Sequence, residues 1–262
     1  MSDDDNQRIR RALENSVAVS LTIEVADSLP STNAHLLEVA RRGAPRGWVI
    51  LAHAQTQGRG RQGRPWHSPP GSNLYLSLLW RPPPGATWQP GLTLAVGVAV
   101  AEALASLQVP DLALKWPNDL LARRRKLGGI LVEGGGGSGV DAFAVIGIGI
   151  NRALPDDLPI DQPWTDLSRL MDQPPSWTNL AAGVLNALVP TLEAFDEVGL
   201  TAVATRWRRF DAAAGRGVTV ASPGGPVAGI ARGIADDGAL LVETPQGLRR
   251  FVAGDVRLRI AP

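Results

Sequence analysis

The chain has no cysteine in its 262 residues. A disulfide scaffold, a thiolate zinc centre, an iron–sulfur cluster and a cysteine nucleophile are therefore excluded. It also lacks an apolar run of the roughly 18 residues that would span a bilayer; even the stretch from Leu92 to Leu107 is broken by Glu102. The opening Met1-Ser2-Asp3-Asp4-Asp5 is acidic and has no apolar centre, unlike a secretory signal, so a cytoplasmic protein is expected. Neither sign of charge is in excess: 26 basic residues face 25 acidic ones, and a net charge of +1 draws the chain to neither nucleic acid nor an acidic membrane. His35, His53 and His67 have no partner at helical spacing, which argues against a histidine metal site, and no Gly-x-Ser-x-Gly elbow of a serine hydrolase occurs. Lysine is nearly missing as well. Only Lys115 and Lys126 stand among the 26 basic residues, and the other 24 are arginine. Where almost every solvated cation is arginine, a retained lysine points to a need for a compact ammonium rather than a planar fork.

At roughly 100–200 residues per domain the length suggests one large domain with a small one attached. Residues 1–17 read as a mobile tail or frayed helix. Ala18–Val25, Gly47–Ala54 and Asn73–Trp80 read as strands. Ser31-Thr32-Asn33 opens a helix that Gly43 and Pro45 close. Leu92–Leu107 is apolar nearly all round, as a buried helix is. Leu112–Trp116, Leu120–Ala122, Leu127–Glu133 and Val140–Ile150 read as strands, with 134–139 a hairpin connection. Residues 152–175 read as irregular. Ser176 opens a long helix to Val198 with a kink expected at Pro190, and a shorter helix follows over Thr201–Phe210. Beyond residue 213, five short β-type runs separated by Gly, Pro and Asp turns suggest a small barrel or sandwich.

Four segments carry chemistry. In Gly58-Arg59-Gly60-Arg61-Gln62-Gly63-Arg64 the glycines allow close backbone approach and the arginines offer permanent charge for a carboxylate or phosphate. The loop reads as a flap closing on an anion, with Trp66 as an aromatic plate, or as a solvated Arg/Gly segment of the kind that binds RNA. It is not a nucleotide-triphosphatase P-loop. Lys115-Trp116-Pro117-Asn118-Asp119 is a turn whose Asp119 could hold Mg²⁺ beside a phosphate, or a plain β-turn. Lys126-Leu127-Gly128-Gly129-Ile130-Leu131 sets an ammonium at the start of an apolar strand, where it could bridge a carboxylate and a phosphate, or is a basic solvated turn. Gly147-Ile148-Gly149-Ile150-Asn151 ends a buried strand with room for a ligand or for tight packing.

Taken in this order, these segments resemble those of biotin protein ligases. The matching stretches also include Ser31-Thr32-Asn33, Gln55, Asn73-Leu74-Tyr75-Leu76-Ser77 and the continuation Val132-Glu133. The resemblance spans about residues 20–260, and both lysines fall inside its motifs. It implies an α+β fold, a mixed β-sheet catalytic domain packed with helices over 18–212, and a small Src-homology-3-like β-barrel over 213–262. It implies that biotin's carboxylate attacks the α-phosphate of ATP to give biotinyl-5′-AMP and pyrophosphate, and that a carrier-protein lysine then takes the biotin. On this resemblance Ser31, Thr32, Asn33 and Gln55 would hold the ureido ring, and Gly58, Arg59, Gly60 and Arg61 would form the flap. Lys126 would bridge the biotin carboxylate and the phosphate, and Gly129, Ile130, Leu131, Gly147 and Gly149 would form pocket walls. Arg61, Arg64, Trp66, Lys115, Asn118, Asp119 and Asn151 would serve ATP, with Asp119 orienting Mg²⁺. The implied partner is the biotin carboxyl carrier protein of an acyl-CoA carboxylase, with no nucleic acid or membrane partner. Monomer and homodimer both remain open. Some members carry a DNA-binding winged helix; the 30 residues before Ser31 are too few for one, so no operator binding is expected. Lipoate ligases and octanoyltransferases share the fold but not the Arg/Gly flap joined to Lys-Trp-Pro-Asn-Asp.

Overall fold

A computed structural model describes residues 2–83, 91–135, 142–222, 224–253 and 257–261. The chain opens with α1 (Ser2–Ala12) and α2 (Asn15–Ser20), followed by β1 (Thr22–Ala26), α3 (Thr32–Arg41), β2 (Trp48–Ala52) and β3 (Asn73–Trp80). Next come α4 (Leu92–Ser106), β4 (Leu112–Lys115), β5 (Asp119–Ala122), β6 (Arg125–Gly135) and β7 (Phe143–Asn151). The large domain finishes with α5 (Leu167–Leu170), α6 (Trp177–Val198) and α7 (Ala204–Phe210). Five strands complete the chain: β8 (Gly217–Ser222), β9 (Gly225–Ile234), β10 (Leu240–Thr244), β11 (Gly247–Phe251) and β12 (Arg257–Ile260).

Strands β1 to β7 form a mixed seven-stranded sheet in the order β1-β2-β3-β7-β6-β5-β4. Only β1 and β2 run parallel; the other neighbours are antiparallel. Because side chains alternate across a strand, the two faces bury different sets. Leu74, Leu76 and Leu78 of β3 and Ile146, Ile148 and Ile150 of β7 join α4 and α6 in the main core. Leu79, Phe143 and Val145 meet Leu36, Leu37 and Ala40 of α3 in a smaller core on the opposite face. The rest of that opposite face forms the site.

The N-terminal segment is not a tail. Ile9, Leu13 and Val17 form a stripe at four-residue spacing and are buried in the main core. Asp3, Asp4 and Asp5 stand at the helix N-terminus and Arg10 and Arg11 near its end, each sign suited to the macrodipole. Asn186 of α6 stitches the segment down, its Oδ1 accepting from Glu14 N–H at 3.0 Å and its Nδ2 donating to Ala12 O at 3.2 Å. One further expectation shifts: the strand expected from Ala18 begins at Thr22. Pro190 lies inside α6. The 134–139 connection lies mostly outside the described residues.

The second sheet, ordered β11-β10-β9-β8-β12, is antiparallel throughout, a small Src-homology-3-like module. It is docked by the buried Trp116, whose Nε1–H donates to Gly238 O at 3.0 Å. Among the described residues no helix is long and apolar enough to cross a membrane.

Candidate active site

The register of β3, β7, β6 and β5 lays the site out in rows. Ser77, Gly147 and Leu131 are paired across three strands; Tyr75, Gly149, Gly129 and Asp119 form the next row. A cavity of about 360 Å³ opens on these rows. Its floor exists because two positions lack side chains. A Cβ on Gly147 would stand 2.2 Å from Asn33 Oδ1, and one on Gly149 would stand 2.7 Å from the Trp66 ring.

Lys126 and Gly129 both line the cavity, although a regular strand would send residues three apart to opposite faces. The pairing of β5 with β6 slips between Leu120 and Leu121, so that Leu121 faces Lys126 while Leu120 faces Gly128. Leu127 is the extra residue and is fully buried in the main core. This bulge re-aims Lys126 into the cavity.

The closed end is polar. Ser31 caps α3 by accepting from Ala34 N–H, which places Thr32 and Asn33 in the first turn against the sheet. Gln55 Oε1 accepts from Thr32 N–H at 2.9 Å, and Asn33 Nδ2 donates to Leu131 O at 3.1 Å and Glu133 Oε2 at 2.8 Å. Ser77 Oγ lies 2.8 Å from Thr32 Oγ1 and 2.6 Å from Asn33 Oδ1.

Over the cavity the Arg/Gly loop is a tight hairpin. Gly60 N–H donates to Arg64 O at 2.7 Å and Trp66 N–H to Gly58 O at 2.8 Å, around a 3-10 turn at Arg61–Gly63. Arg59 reaches Glu133 at 3.0 Å and Arg61 donates to Asn118 Oδ1 at 3.2 Å. Asn118 in turn donates to Ile130 O at 3.0 Å, so this amide fastens the flap to the sheet beside the Arg59–Glu133 pair.

The two lysines share one carboxylate. Asp119 Oδ1 lies 2.8 Å from Lys126 Nζ and Oδ2 lies 2.8 Å from Lys115 Nζ. Burial pushes the Asp119 carboxyl up, but the ammonium groups of Lys126 and Lys115 outweigh it and hold it below the usual carboxylate range. Lys126 also sits 5.4 Å from the centroid of the Trp66 ring. With each oxygen already on an ammonium, Asp119 does not fit the Mg²⁺ role expected of it. A directly bound dication would stand against two positive charges, whereas Mg²⁺ favours a carboxylate beside substrate phosphates. Among the described residues no cluster of His, Asp and Glu could hold a metal.

Most of the expected residues line this one cavity: Ser31, Thr32, Asn33, Gln55, Arg59, Gly60, Arg61, Arg64, Trp66, Asn118, Lys126, Gly129, Ile130, Leu131, Gly147, Gly149 and Asn151. Gly58, Lys115 and Asp119 stand behind it. Gly58 leaves space for Trp66 O, which a Cβ would meet at 2.5 Å. Asn151 is turned to the scaffold, donating to Thr165 O at 3.0 Å and lying 3.4 Å from Asn73 Nδ2.

Sequence reasoning quoted Ser77 and Glu133 within matching stretches without giving them a role, and it passed over the wall formed by Leu154, Ile160, Gln162 and Trp164. That wall belongs to the segment read as irregular. It is held by the fully buried Asp166, which accepts from Leu154 N–H at 2.9 Å and Arg169 N–H at 3.0 Å, while the Arg169 guanidinium lies 4.1 Å over the Trp164 ring. The available signal was Asp166 three residues before Arg169, a helix cap, with a tryptophan just upstream.

A seven-stranded mixed sheet, a flap of arginines and an ammonium at the head of a cavity with a polar end define a ligase of the biotin/lipoate class. The sequence profile of the biotin/lipoate A/B protein ligase family matches residues 25–151, and that of the biotin protein ligase C-terminal domain matches 214–259. The bifunctional ligase/repressor BirA of Escherichia coli is 38% identical over 246 residues, covering 92% of this chain and 75% of that protein. The biotin–[acetyl-CoA-carboxylase] ligase of Mycobacterium tuberculosis is 36% identical over 242 residues, covering 89% and 88%. Among solved structures, the biotin protein ligase of Aquifex aeolicus in complex with biotin and ATP superposes with a TM-score of 0.79 at 26% identity, over 92% of this chain and 99% of that one. The chain belongs to the biotin protein ligases, and it is an enzyme of that family.

Proposed function

We propose that this ligase joins biotin to a carrier protein in two steps, with ATP, brought in as its magnesium complex, as the second substrate. In the first, a carboxylate oxygen of biotin attacks the α-phosphorus of ATP. The new P–O bond forms as the bond to the β-phosphate breaks, giving biotinyl-5′-AMP and pyrophosphate. In the second, the amine of a carrier lysine attacks the activated carbonyl, the C–O bond breaks, AMP leaves and the amine loses a proton. The expected acceptor is the biotin carboxyl carrier protein of an acyl-CoA carboxylase, and a reaction drawing on ATP and such a subunit belongs in the cytoplasm.

One observation carries this reading: the Lys126 ammonium, braced by Asp119 at 2.8 Å, lines the same cavity as Arg59, Arg61 and Arg64. The first step brings two anions together, so its barrier is largely electrostatic. Fixed positive charge in a walled cavity lowers it without reorganising water. The ammonium bridges the carboxylate and the α-phosphate, the arginines cover them, and the polar end with Thr32 and Gln55 suits a urea ring. Lys115 completes the brace on Asp119, and Trp66 and Asn118 form the walls on the nucleotide side. Transfer of labelled biotin to a carrier domain tests both steps, with the acceptor lysine replaced by arginine as the control. Labelling is expected only when biotin, ATP and the intact lysine are all present; labelling of the arginine control would contradict the second step.

Two substitutions probe the walls. Gly147→Ala puts a methyl group 2.2 Å from Asn33 Oδ1, an atom that can retreat only by breaking the bonds to Leu131, Glu133 and Ser77 that hold its amide. Biotin affinity should fall by about a hundredfold as Asn33 is displaced, a loss of roughly 3 kcal/mol. Titration calorimetry reads it. Arg61→Ala releases the flap from Asn118, to which Arg61 donates at 3.2 Å. It should form biotinyl-AMP more slowly and leak it into solution about tenfold faster, as quench-and-separate assays would show.

A further inference from the structure

Trp116 and the small barrel have no part in the chemistry above, yet they meet beside the charge cluster. Lys115 stands on β4, a strand of four residues at the edge of the large sheet, and is paired with Asp119 of β5. Its two neighbours in the chain, Leu114 and Trp116, are buried in the main core, while Lys115 between them reaches Asp119 Oδ2 at 2.8 Å.

The outer side of an edge strand has no partner within its sheet. On β4 that side is taken by the chain that leads into the barrel. Asp211 bridges Leu114 in parallel, and Ala212 N–H donates to Leu114 O at 2.9 Å. On the other side of Lys115, Trp116 Nε1–H donates to Gly238 O at 3.0 Å. Both neighbours of Lys115 are therefore held by the barrel or its linker. The receiving turn, between β9 and β10, is itself fixed. Gly238 N–H donates to Ala235 O and Ala235 N–H to Ala239 O, each at 2.8 Å. Asp237 accepts from Ala239 N–H at 3.1 Å and from Arg250 of β11 at 2.6 Å. Gly238 has φ +82°, and a Cβ there would stand 3.0 Å from Leu94 Cδ1 and 3.2 Å from Gly91 Cα, so the turn is seated on the start of α4.

We infer that Trp116 is a positioning residue for the first step, through which the barrel holds the charge cluster in register. The path is short. Lys115 takes one oxygen of Asp119, and the other oxygen of Asp119 takes Lys126 Nζ at the cavity. A shift of β4 reaches the reacting ammonium through that one carboxylate, and a misplacement of about 1 Å at reacting groups costs roughly a hundredfold. The polar end stands on α3, β3 and the segment after β2, elements that share none of these bonds. The barrel thus acts on the rate and not on the hold on the ring. This rests on the biotin reading above.

Trp116→Phe removes the donor and keeps a ring in the core. The maximal rate of biotin-dependent exchange of labelled pyrophosphate into ATP should fall about tenfold, the size of one lost hydrogen bond to a buried carbonyl. KM for biotin should not change. Gly238→Ala, which unseats the turn from the barrel side, should give the same pattern. A general loss of stability would lower exchange in any background, so the deciding comparison is made in Lys115→Met, where the link to Asp119 is already cut. There Trp116→Phe should lower the rate further by less than about twofold. An equal tenfold loss in both backgrounds overturns the inference, and so does a Trp116→Phe protein with wild-type exchange or with a raised biotin KM at an unchanged maximal rate. Should Trp116→Phe fail to fold, Gly238→Ala in the two backgrounds decides by the same criteria. A wild-type protein without biotin-dependent exchange overturns the biotin reading, and the inference with it.

Discussion

Lys126→Ala should reduce the rate of biotin-dependent pyrophosphate exchange into ATP by about a thousandfold, as the removal of a preorganised charge at a developing transition state does. Biotin affinity should change far less, because the polar end proposed to hold the ring is built from Thr32, Asn33, Gln55 and Ser77 and does not involve this side chain. The argument rests on how the ammonium is held. A bulge in β6 turns Lys126 toward the cavity, Asp119 fixes its Nζ at 2.8 Å, and the Trp66 ring limits its swing from 5.4 Å. Lys115, the other lysine, sits on the far oxygen of Asp119 and does not line the cavity, so it cannot stand in. Lys126→Arg should not rescue the rate, since a planar fork on a longer stem replaces a point charge that must touch two oxyanions at once. Exchange near the wild-type rate in Lys126→Ala would remove this residue from the first step.

Asp119→Ala should be the most destabilising single change in the site. The carboxylate separates two ammonium groups, each 2.8 Å from one of its oxygens, and its side chain is only 14% exposed. Deleting one partner of a buried charge cluster typically costs about 3–5 kcal/mol, and here it leaves Lys115 and Lys126 to repel each other. Asp119→Asn keeps the shape and tests charge alone. The pH dependence has a definite sign. Because the ammonium groups hold this carboxyl below its usual value, its contribution to stability is complete above the ordinary carboxylate pKa, near about 4. It is lost as the pH falls through the lowered value. Urea unfolding from pH 7 downward should therefore show a constant gap between wild type and Asp119→Asn at neutral pH, closing only in the acid limb. A gap that widens on acidification would contradict this role for Asp119.

The sequence showed most of the scaffold through period and punctuation. β3 runs from Asn73 to Trp80 and α4 from Leu92 to Ser106 because one is apolar at both faces over strand length and the other is apolar all round over helix length. Ser31 and Ser176 cap where their polar starts implied. The N-terminal helices were harder to read. Their apolar stripe is only Ile9, Leu13 and Val17 in an otherwise charged segment, and it becomes meaningful only against α6 and β1. Within the site, glycines, arginines and lysines were legible as residue types, but their pairings were not. Nothing in the spacing of Lys115, Asp119 and Lys126 says that both ammonium groups end on one carboxylate, because that depends on the β4–β5–β6 register and its bulge. That register, with an ammonium on each carboxylate oxygen, is also why Asp119 does not suit the Mg²⁺ role its turn suggested. Glu133 and Ser77 likewise stood in matching stretches without a role until the register set them beside Asn33.

The central claim is that fixed positive charge in one cavity joins the carboxylate of biotin to the α-phosphate of ATP, and that the polar end selects the ring. Exchange of labelled pyrophosphate into ATP, with biotin, lipoate and octanoate supplied separately to the purified protein with magnesium, tests it most directly. The expected result is rapid exchange with biotin and none above background with the other two acids. Exchange that ignores biotin, or that runs equally well with lipoate or octanoate, would contradict it.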